Sequence, residues 1–179
     1  MIYTPREDSY LIENQVKKYA KDKSFLDIGT GSGILAFAAQ SSGAKSVLAT
    51  DINQESVNSV NKIKIPSIQA VQSDLFSNIK GKFDLITFNP PYLPQDKNED
   101  EKSALITTGG KLGDELILRF LNDARSHLAP NGNILLLLSS LTPRERILPA
   151  LKNKHLNHEI IDRQKLFMES LEVWKLSVN

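Results

Sequence analysis

Short apolar runs rich in β-forming residues recur along the chain at 24–28, 46–50, 68–71, 83–88 and 133–138, each bounded by polar or turn-forming residues. Between them, apolar residues at helical spacing predict helices over 34–41, 54–63 and 112–128. A first helix is predicted over 5–20, with Pro5 in its first turn, Glu7 and Asp8 beside it, and Lys17 and Lys18 near its end. Strands that alternate with helices imply a parallel sheet covered on both faces. The end of the chain departs from this rhythm. Segments 158–165 and 171–178 read as two strands joined by a short turn, hence an antiparallel pair at one edge.

One connection is unusually long. About twenty residues, including the polar run QDKNEDEKS, separate Tyr92 from the helix expected near Leu112. Loops of that length are uncommon in compact domains and are usually functional or mobile. Residues 93–113 are therefore expected to form a lid or substrate-docking element, with a solvated insertion as the plain alternative for the charged part.

Composition acts mainly by exclusion. A chain of 179 residues suits one domain spanning 1–179, its first 23 residues being a helical segment ahead of the sheet. No apolar run approaches the roughly eighteen residues of a membrane span. The start, MIYTPREDSY, lacks the basic-then-apolar pattern of a secretory signal, so a cytoplasmic protein is expected. There are no cysteines, and His127, His155 and His158 have no familiar ligand spacing, so no metal site of its own is expected. Net charge is +1, from 22 basic and 21 acidic residues, which does not advertise nucleic-acid binding, although a local patch can hide in a neutral total. Lys17, Lys18, Lys21 and Lys23 are the compact basic cluster, and the expected place for contact with ribosomal or transfer RNA.

The first candidate for chemistry is the turn after the first strand, where FLDIG runs into TGSG and then the helix ILAFAAQ. Glycines let a bound molecule approach the backbone, and a helix amino terminus offers free N–H groups. A dinucleotide site needs G-x-G-x-x-G, but the spacing here is G-x-G-x-G, from Gly29, Gly31 and Gly33, with Ile34 where the third glycine would fall. Asp27 would repel a pyrophosphate and suits the ammonium of a methionine moiety. Asp51 follows the second strand, 22 residues after Gly29, close to the separation at which a carboxylate holds ribose hydroxyls in such folds. Asp74 follows the third strand, where it can accept from an adenine amino group with Leu75 against the ring. Thr30 and Ile52 belong to the same turns. The plain reading of Asp51 and Asp74 is a helix cap.

The fourth strand carries the most specific signal, FDLITFNPPYLP. Two prolines after a buried strand hold the backbone extended and remove its donors. The Asn89 side-chain oxygen and the Pro90 carbonyl can each accept one N–H of a planar NH2 group, and Tyr92 offers a face to stack on it. Holding both hydrogens in line with a sulfonium methyl favours the pyramidal nitrogen of the transition state. No general base is needed before transfer. The plain alternative is a rigid turn that ends a strand.

These residues, in this order, resemble the HemK family of class I, S-adenosylmethionine-dependent methyltransferases. The resemblance is carried by YTPREDSYL, LDIGTGSG, TDIN, SDLF, FNPPY and GGKLGDELILRFL followed by LAPNGNILLL, and so covers nearly the whole chain. Bacterial members have an extra helical domain at the amino terminus; with about twenty residues before the first strand, this chain is similar to the short archaeal and eukaryotic branch. The resemblance implies a Rossmann-like, seven-stranded, mostly parallel sheet of order 3-2-1-4-5-7-6, with one antiparallel edge strand and helices on both faces. It implies methylation of the amide nitrogen of the glutamine in the Gly-Gly-Gln motif of a translation release factor. It also implies cofactor contacts from Ser9, Asp27, Gly29, Asp51, Asp74, Leu75 and Asn89. Ser9 stands where the family usually has threonine, and Asp27 where it often has glutamate. A small zinc-binding activator protein is the implied partner.

Two other substrates compete with the amide. An adenine amino group is chemically equivalent, but enzymes acting on it usually carry a recognition domain or a strongly basic face. A lysine ammonium must first lose a proton, and NPPY supplies no base. A non-catalytic scaffold would need neither the acceptors nor the three acids. His127 reads as a charge near a helix carboxyl end, and Trp174 as core on an edge strand.

Overall fold

The computed structural model describes residues 2–95 and 107–178. Residues 96–106, within the 93–113 segment expected to form a lid, thus lie outside the described residues. In chain order the elements are α1 (Glu7–Tyr19), β1 (Ser24–Ile28), α2 (Ile34–Ser41), β2 (Ser46–Asp51), α3 (Gln54–Lys62), β3 (Ile68–Gln72) and β4 (Phe83–Phe88). After the long loop come α4 (Glu115–Ala124), a 3-10 turn (Arg125–His127), β5 (Leu128–Ser139), α5 (Arg144–Asn153), β6 (Leu156–Lys165) and β7 (Ser170–Val178).

The strands form one sheet of order β3-β2-β1-β4-β5-β7-β6, as the resemblance implies. Five of them, β1 to β5, pair in parallel. β7 runs against both β5 and β6, so the antiparallel strand sits one place in from the edge and β6 lies outside it. Alternate residues feed two cores. Phe25, Leu85, Leu135 and Val173 point towards α1, α2 and α3, whereas their neighbours Leu26, Ile86, Leu136 and Trp174 point towards α4 and α5. A strand covered on both faces reads as an unbroken apolar run, and residues 134–138 of β5 are all completely buried.

Several boundaries differ from the sequence reading. Pro5 lies outside α1, which starts at Glu7 behind Arg6. α4 starts at Glu115 rather than 112, because Gly113 takes a left-handed φ of 87° just before it. β5 starts at Leu128, and the turn-forming Asn131 and Gly132 fall at an irregularity opposite Phe83 and Leu85. Helix α5 went unpredicted: Pro149 sits inside it, where proline removes a backbone donor and masks the helical pattern.

Candidate active site

The first four strands end at one edge, and their loops at 29–33, 51–53, 73–75 and 89–92 converge there with residues 2–9 ahead of and within α1. Together they enclose a cleft of about 1070 Å3. The chain reverses its direction of winding between β1 and β4, which lie side by side. In open α/β sheets, such a switch point at the carboxyl edge is where ligands bind. Ser9, Gly29, Thr30, Gly31, Asp51, Ile52, Asp74, Leu75, Asn89, Pro90 and Tyr92 all line this cleft.

Two of the expected residues do not. Gly33 sits beneath the loop at the start of α2 with φ 84°, where a Cβ would fall 2.7 Å from the Phe37 ring and 2.9 Å from Val60. Its glycine is required by backbone conformation and close packing. Asp27 is completely buried behind the cleft wall. Its Oδ1 accepts from Thr87 Oγ1 at 2.8 Å, while Oδ2 has no partner. Burial pushes this carboxyl up to about 7, against the neighbouring Thr30 and Thr87 hydroxyls, with Asp51 adding to the rise. Thr30 Oγ1 is likewise buried without a partner in hydrogen-bond geometry. Such orphaned polar atoms are rare in interiors. Thr30 lines the cleft and Asp27 lies behind it, so an ionised Asp27 places negative charge beneath the wall where a cationic ligand would sit.

Asp51 ends β2 and ties two turns together. Its Oδ2 accepts from Gly31 N and its Oδ1 from Asn53 N, both at 2.8 Å. It is not the cap of α3, because Asn53 holds that position and accepts from Glu55 N at 3.0 Å. Asp74 opens a turn rather than a helix, and its Oδ2 is paired with Arg119 at 2.8 Å. Leu75 has a φ of 49°, a conformation that costs a non-glycine residue of order 1–3 kcal/mol. Ser73 holds it there: its hydroxyl donates to Leu75 O at 2.8 Å and accepts from Asn78 N at 3.1 Å.

The acceptor end of the cleft is built around Asn89. Its Nδ2 donates to Asp8 Oδ2 at 3.0 Å, and its Oδ1 is buried without a partner. A carboxylate only accepts, so Asp8 fixes which end of the Asn89 amide faces away from it. Asp8 also takes the Tyr3 hydroxyl at 3.1 and 3.0 Å and Ser9 N at 2.7 Å. Burial, with Asp8 beside it, raises the Tyr3 phenol well above its ordinary value; burial and Glu169 do the same for Tyr92. Both phenols are therefore neutral donors or stacking faces rather than bases.

Residues 107–113 buttress the NPPY turn from outside. Leu93 N donates to Thr107 O and Gly109 N donates to Leu93 O, both at 2.9 Å. A Cβ on Gly113 would fall 2.5 Å from Tyr92 O, and one on Gly109 2.6 Å from Pro91 O.

Sequence reasoning missed Tyr3 and Asp8, whose signal was their place in the YTPREDSYL motif, and Arg119, which no spacing pointed to. Gly109 and Gly113 belonged to a quoted motif without an assigned role. Neither His127 nor Trp174 lines the cleft. Trp174 is core as expected, although on β7, which has a strand on each side rather than lying at the edge. His127 stacks on Phe76 with ring centres 4.7 Å apart and meets Gly81 O at 3.1 Å, and Trp174 is buried and donates to Glu172 at 2.8 Å.

A doubly covered sheet with this order, a glycine-rich turn without dinucleotide spacing, and an asparagine acceptor backed by two prolines define a class I methyltransferase. Residues 8–168 match the family described as methyltransferase small domain, and the chain belongs to it. It is 37% identical to a candidate protein N5-glutamine methyltransferase of Methanocaldococcus jannaschii, over 98% of this chain and 92% of the relative. It is 30% identical to methyltransferase HEMK2 of Homo sapiens, over 98% of this chain and 89% of that one. Among solved structures, the Mtq2–Trm112 complex of E. cuniculi, described as responsible for methylation of the eRF1 translation termination factor, superposes with a TM-score of 0.79. That match has 26% identity and covers 99% of both chains.

Proposed function

We propose that this protein uses S-adenosylmethionine to methylate the side-chain amide nitrogen of the Gly-Gly-Gln glutamine in a translation release factor. The observation that carries the reading is the unpartnered, buried Asn89 Oδ1, aimed by the bond from Asn89 Nδ2 to Asp8. An amide NH2 is a poor nucleophile because its lone pair is delocalised. Asn89 Oδ1 and the Pro90 carbonyl accept its two hydrogens, and Tyr92 stacks on its plane, so the nitrogen lone pair is presented to the donor. The cofactor supplies a methyl group on a sulfonium, activated for direct displacement. Ser9 faces its methionine end, and Asp27 acts on that end as buried charge from behind the wall. Gly29, Thr30 and Gly31 cradle it, Asp51 and Ile52 take the ribose, and Asp74 and Leu75 the adenine.

The Arg119–Asp74 pair modifies this picture. Its guanidinium must share the Asp74 carboxylate with the adenine amino group or turn away into the adjoining groove lined by Phe76 and Asn122. A small zinc-binding activator subunit completes the enzyme, by likeness to the Mtq2–Trm112 complex; it would bring the metal, since this chain has no cysteine. No helix among the described residues is long and apolar enough to cross a membrane, and the site of action is the cytoplasm, where release factors work.

The test is methyl transfer from labelled cofactor to purified release factor and to total RNA in parallel, with and without the activator. Label in the factor that disappears when the Gly-Gly-Gln glutamine is replaced establishes the reading. Label in RNA alone would overturn it in favour of an adenine substrate.

A further inference from the structure

The edge of the sheet opposite the cleft has a charge pattern of its own. Lys21 and Lys23 lead into β1, Lys45 into β2, Lys62 and Lys64 into β3, and Lys80 and Lys82 into β4. The sheet order places these four leads side by side. The backbone shows the contact directly, since Lys45 N donates to Lys23 O at 2.8 Å and Asp22 N to Gly43 O at 2.9 Å. With strands about 4.8 Å apart, the lysines spread over an edge on the order of 15 Å long. All are exposed except Lys23, which is half-buried.

Two acids, the exposed Asp22 and the half-buried Asp84, stand among these seven lysines, and the balance stays strongly basic. Among the described residues none of the seven forms an ion pair, whereas Lys17 is paired with Glu13 at 2.7 Å and Lys18 donates to Gln15 at 3.4 Å. The cluster seen in the sequence is thus divided: its first half is engaged along α1, and its second half joins lysines from three other strand leads. Asp84 is held by Ser24 through N at 2.9 Å and Oγ at 2.7 Å, stays ionised, and offsets part of the charge of Lys23 and Lys45. These bonds, with Lys23 and Lys45 nearby, hold Asp84 below the usual carboxylate range. The acids Asp8, Asp27, Asp51 and Asp74 gather at the opposite edge. A net charge of +1 therefore conceals a molecule with one acidic and one basic end.

We propose that this lysine edge is a docking surface for the phosphate backbone of structured RNA, separate from the methyl-transfer cleft. Unpaired ammonium groups at spaced positions neutralise successive phosphates and release counterions, giving sequence-independent, salt-sensitive binding. Lysine is depleted at protein–protein interfaces, where aromatic, methionine and arginine anchors dominate; this edge offers only Ile63 as a large exposed apolar side chain among the described residues. One isoleucine also gives a bilayer little to hold. With no exposed aromatic on the edge to stack unpaired bases, a duplex or folded RNA is the better fit than a single strand. The inference does not depend on which substrate the cleft methylates.

The test compares the full chain with a variant carrying Lys21→Glu, Lys45→Glu, Lys64→Glu and Lys82→Glu, one substitution in each strand lead. Binding of a labelled RNA hairpin is measured across salt concentrations, with anionic phospholipid vesicles as a second probe. Wild type should bind the hairpin with a log–log salt slope of about −3, equivalent to roughly three or four neutralised phosphates. The variant should lose more than tenfold in affinity and most of that slope, with its thermal melt and cofactor affinity unchanged. Arginine at the same four positions should restore binding. Equal RNA affinity in wild type and the glutamate variant, or binding by vesicles in preference to the hairpin, would overturn the proposal.

Discussion

Asp8 Oδ2 accepts a hydrogen bond from Asn89 Nδ2 at 3.0 Å across 81 positions of sequence, joining the first helix to the end of the fourth strand. The bond leaves the amide oxygen as the free end of Asn89. Without it, the amide can rotate by half a turn and present a donor where an acceptor is needed. Asp8→Ala should therefore lower turnover about 100-fold, the order expected when a positioned group is misplaced by an ångström. Cofactor affinity should change far less. Steady-state methyl transfer beside titration of the cofactor separates the two, and unchanged turnover would show that Asn89 holds its orientation by other means.

Asn89 itself should be the more sensitive position. Asn89→Ala removes the acceptor that strengthens its bond as the nitrogen becomes pyramidal, a loss of about 2.7–4 kcal/mol in the barrier by analogy with one oxyanion donor. The expected signature is a fall of 10²–10³ in kcat with cofactor affinity nearly intact. A variant that keeps wild-type turnover removes Asn89 from the mechanism.

Most of the frame was legible because both period and punctuation agreed. β1 and β4 were placed to the residue, since strands buried on both faces are apolar without interruption. The cleft was legible as a set of loops, because Asp51, Asp74 and Asn89 each end a strand and parallel strands end at one edge. What escaped was tertiary. Nothing local says that Asp74 meets Arg119, or that Asp27 is sealed beneath the glycine turn while Gly29 and Gly31 are not. Helix α5 was hidden by Pro149, whose lost bond is tolerated because Ile147 and Leu151 on either side are buried. The lysine edge was split among four distant segments, and only the sheet order gathers it.

Asp51 should affect the fold as well as the ligand. Its carboxylate holds Gly31 N and Asn53 N, so Asp51→Ala leaves two turn donors without their charged acceptor. Bonds to charged groups contribute on the order of 1.5–3 kcal/mol, and both a lower melting temperature and weaker cofactor binding are expected. Unchanged affinity would show that the ribose is held elsewhere.

Gly113 tests the support of the NPPY turn. A Cβ there would meet Tyr92 O at 2.5 Å, and the φ of 87° is strained for any L side chain. Gly113→Ala should therefore push the turn towards the cleft and cut turnover at least tenfold. A matching Gly81→Ala change, also at positive φ but with nothing within 4 Å of its Cβ, should leave turnover intact. If both variants lose activity equally, general destabilisation rather than a displaced turn is responsible.

The buried Asp27 should make cofactor binding depend on pH. Burial raises its carboxyl to about 7, well above the value near 4 in an unfolded chain. The folded, empty protein thus holds a proton that the unfolded chain has lost, and this group's contribution to stability declines as pH rises from about 4 to 7. Only the ionised form attracts the ammonium of the methionine moiety. Affinity should therefore rise with pH, by up to about tenfold per unit below 7, and level off above it. Asp27→Asn should weaken binding and flatten its pH dependence. It should also make the empty protein more stable at pH 8, since a neutral amide can still accept from Thr87 without the cost of burying a charge. Calorimetric titration of the cofactor at pH 6, 7 and 8, with thermal melts of the empty protein, measures all three. Affinity that is constant across this range would mean that Asp27 stays in one protonation state throughout and that the ammonium is recognised from the cleft surface alone.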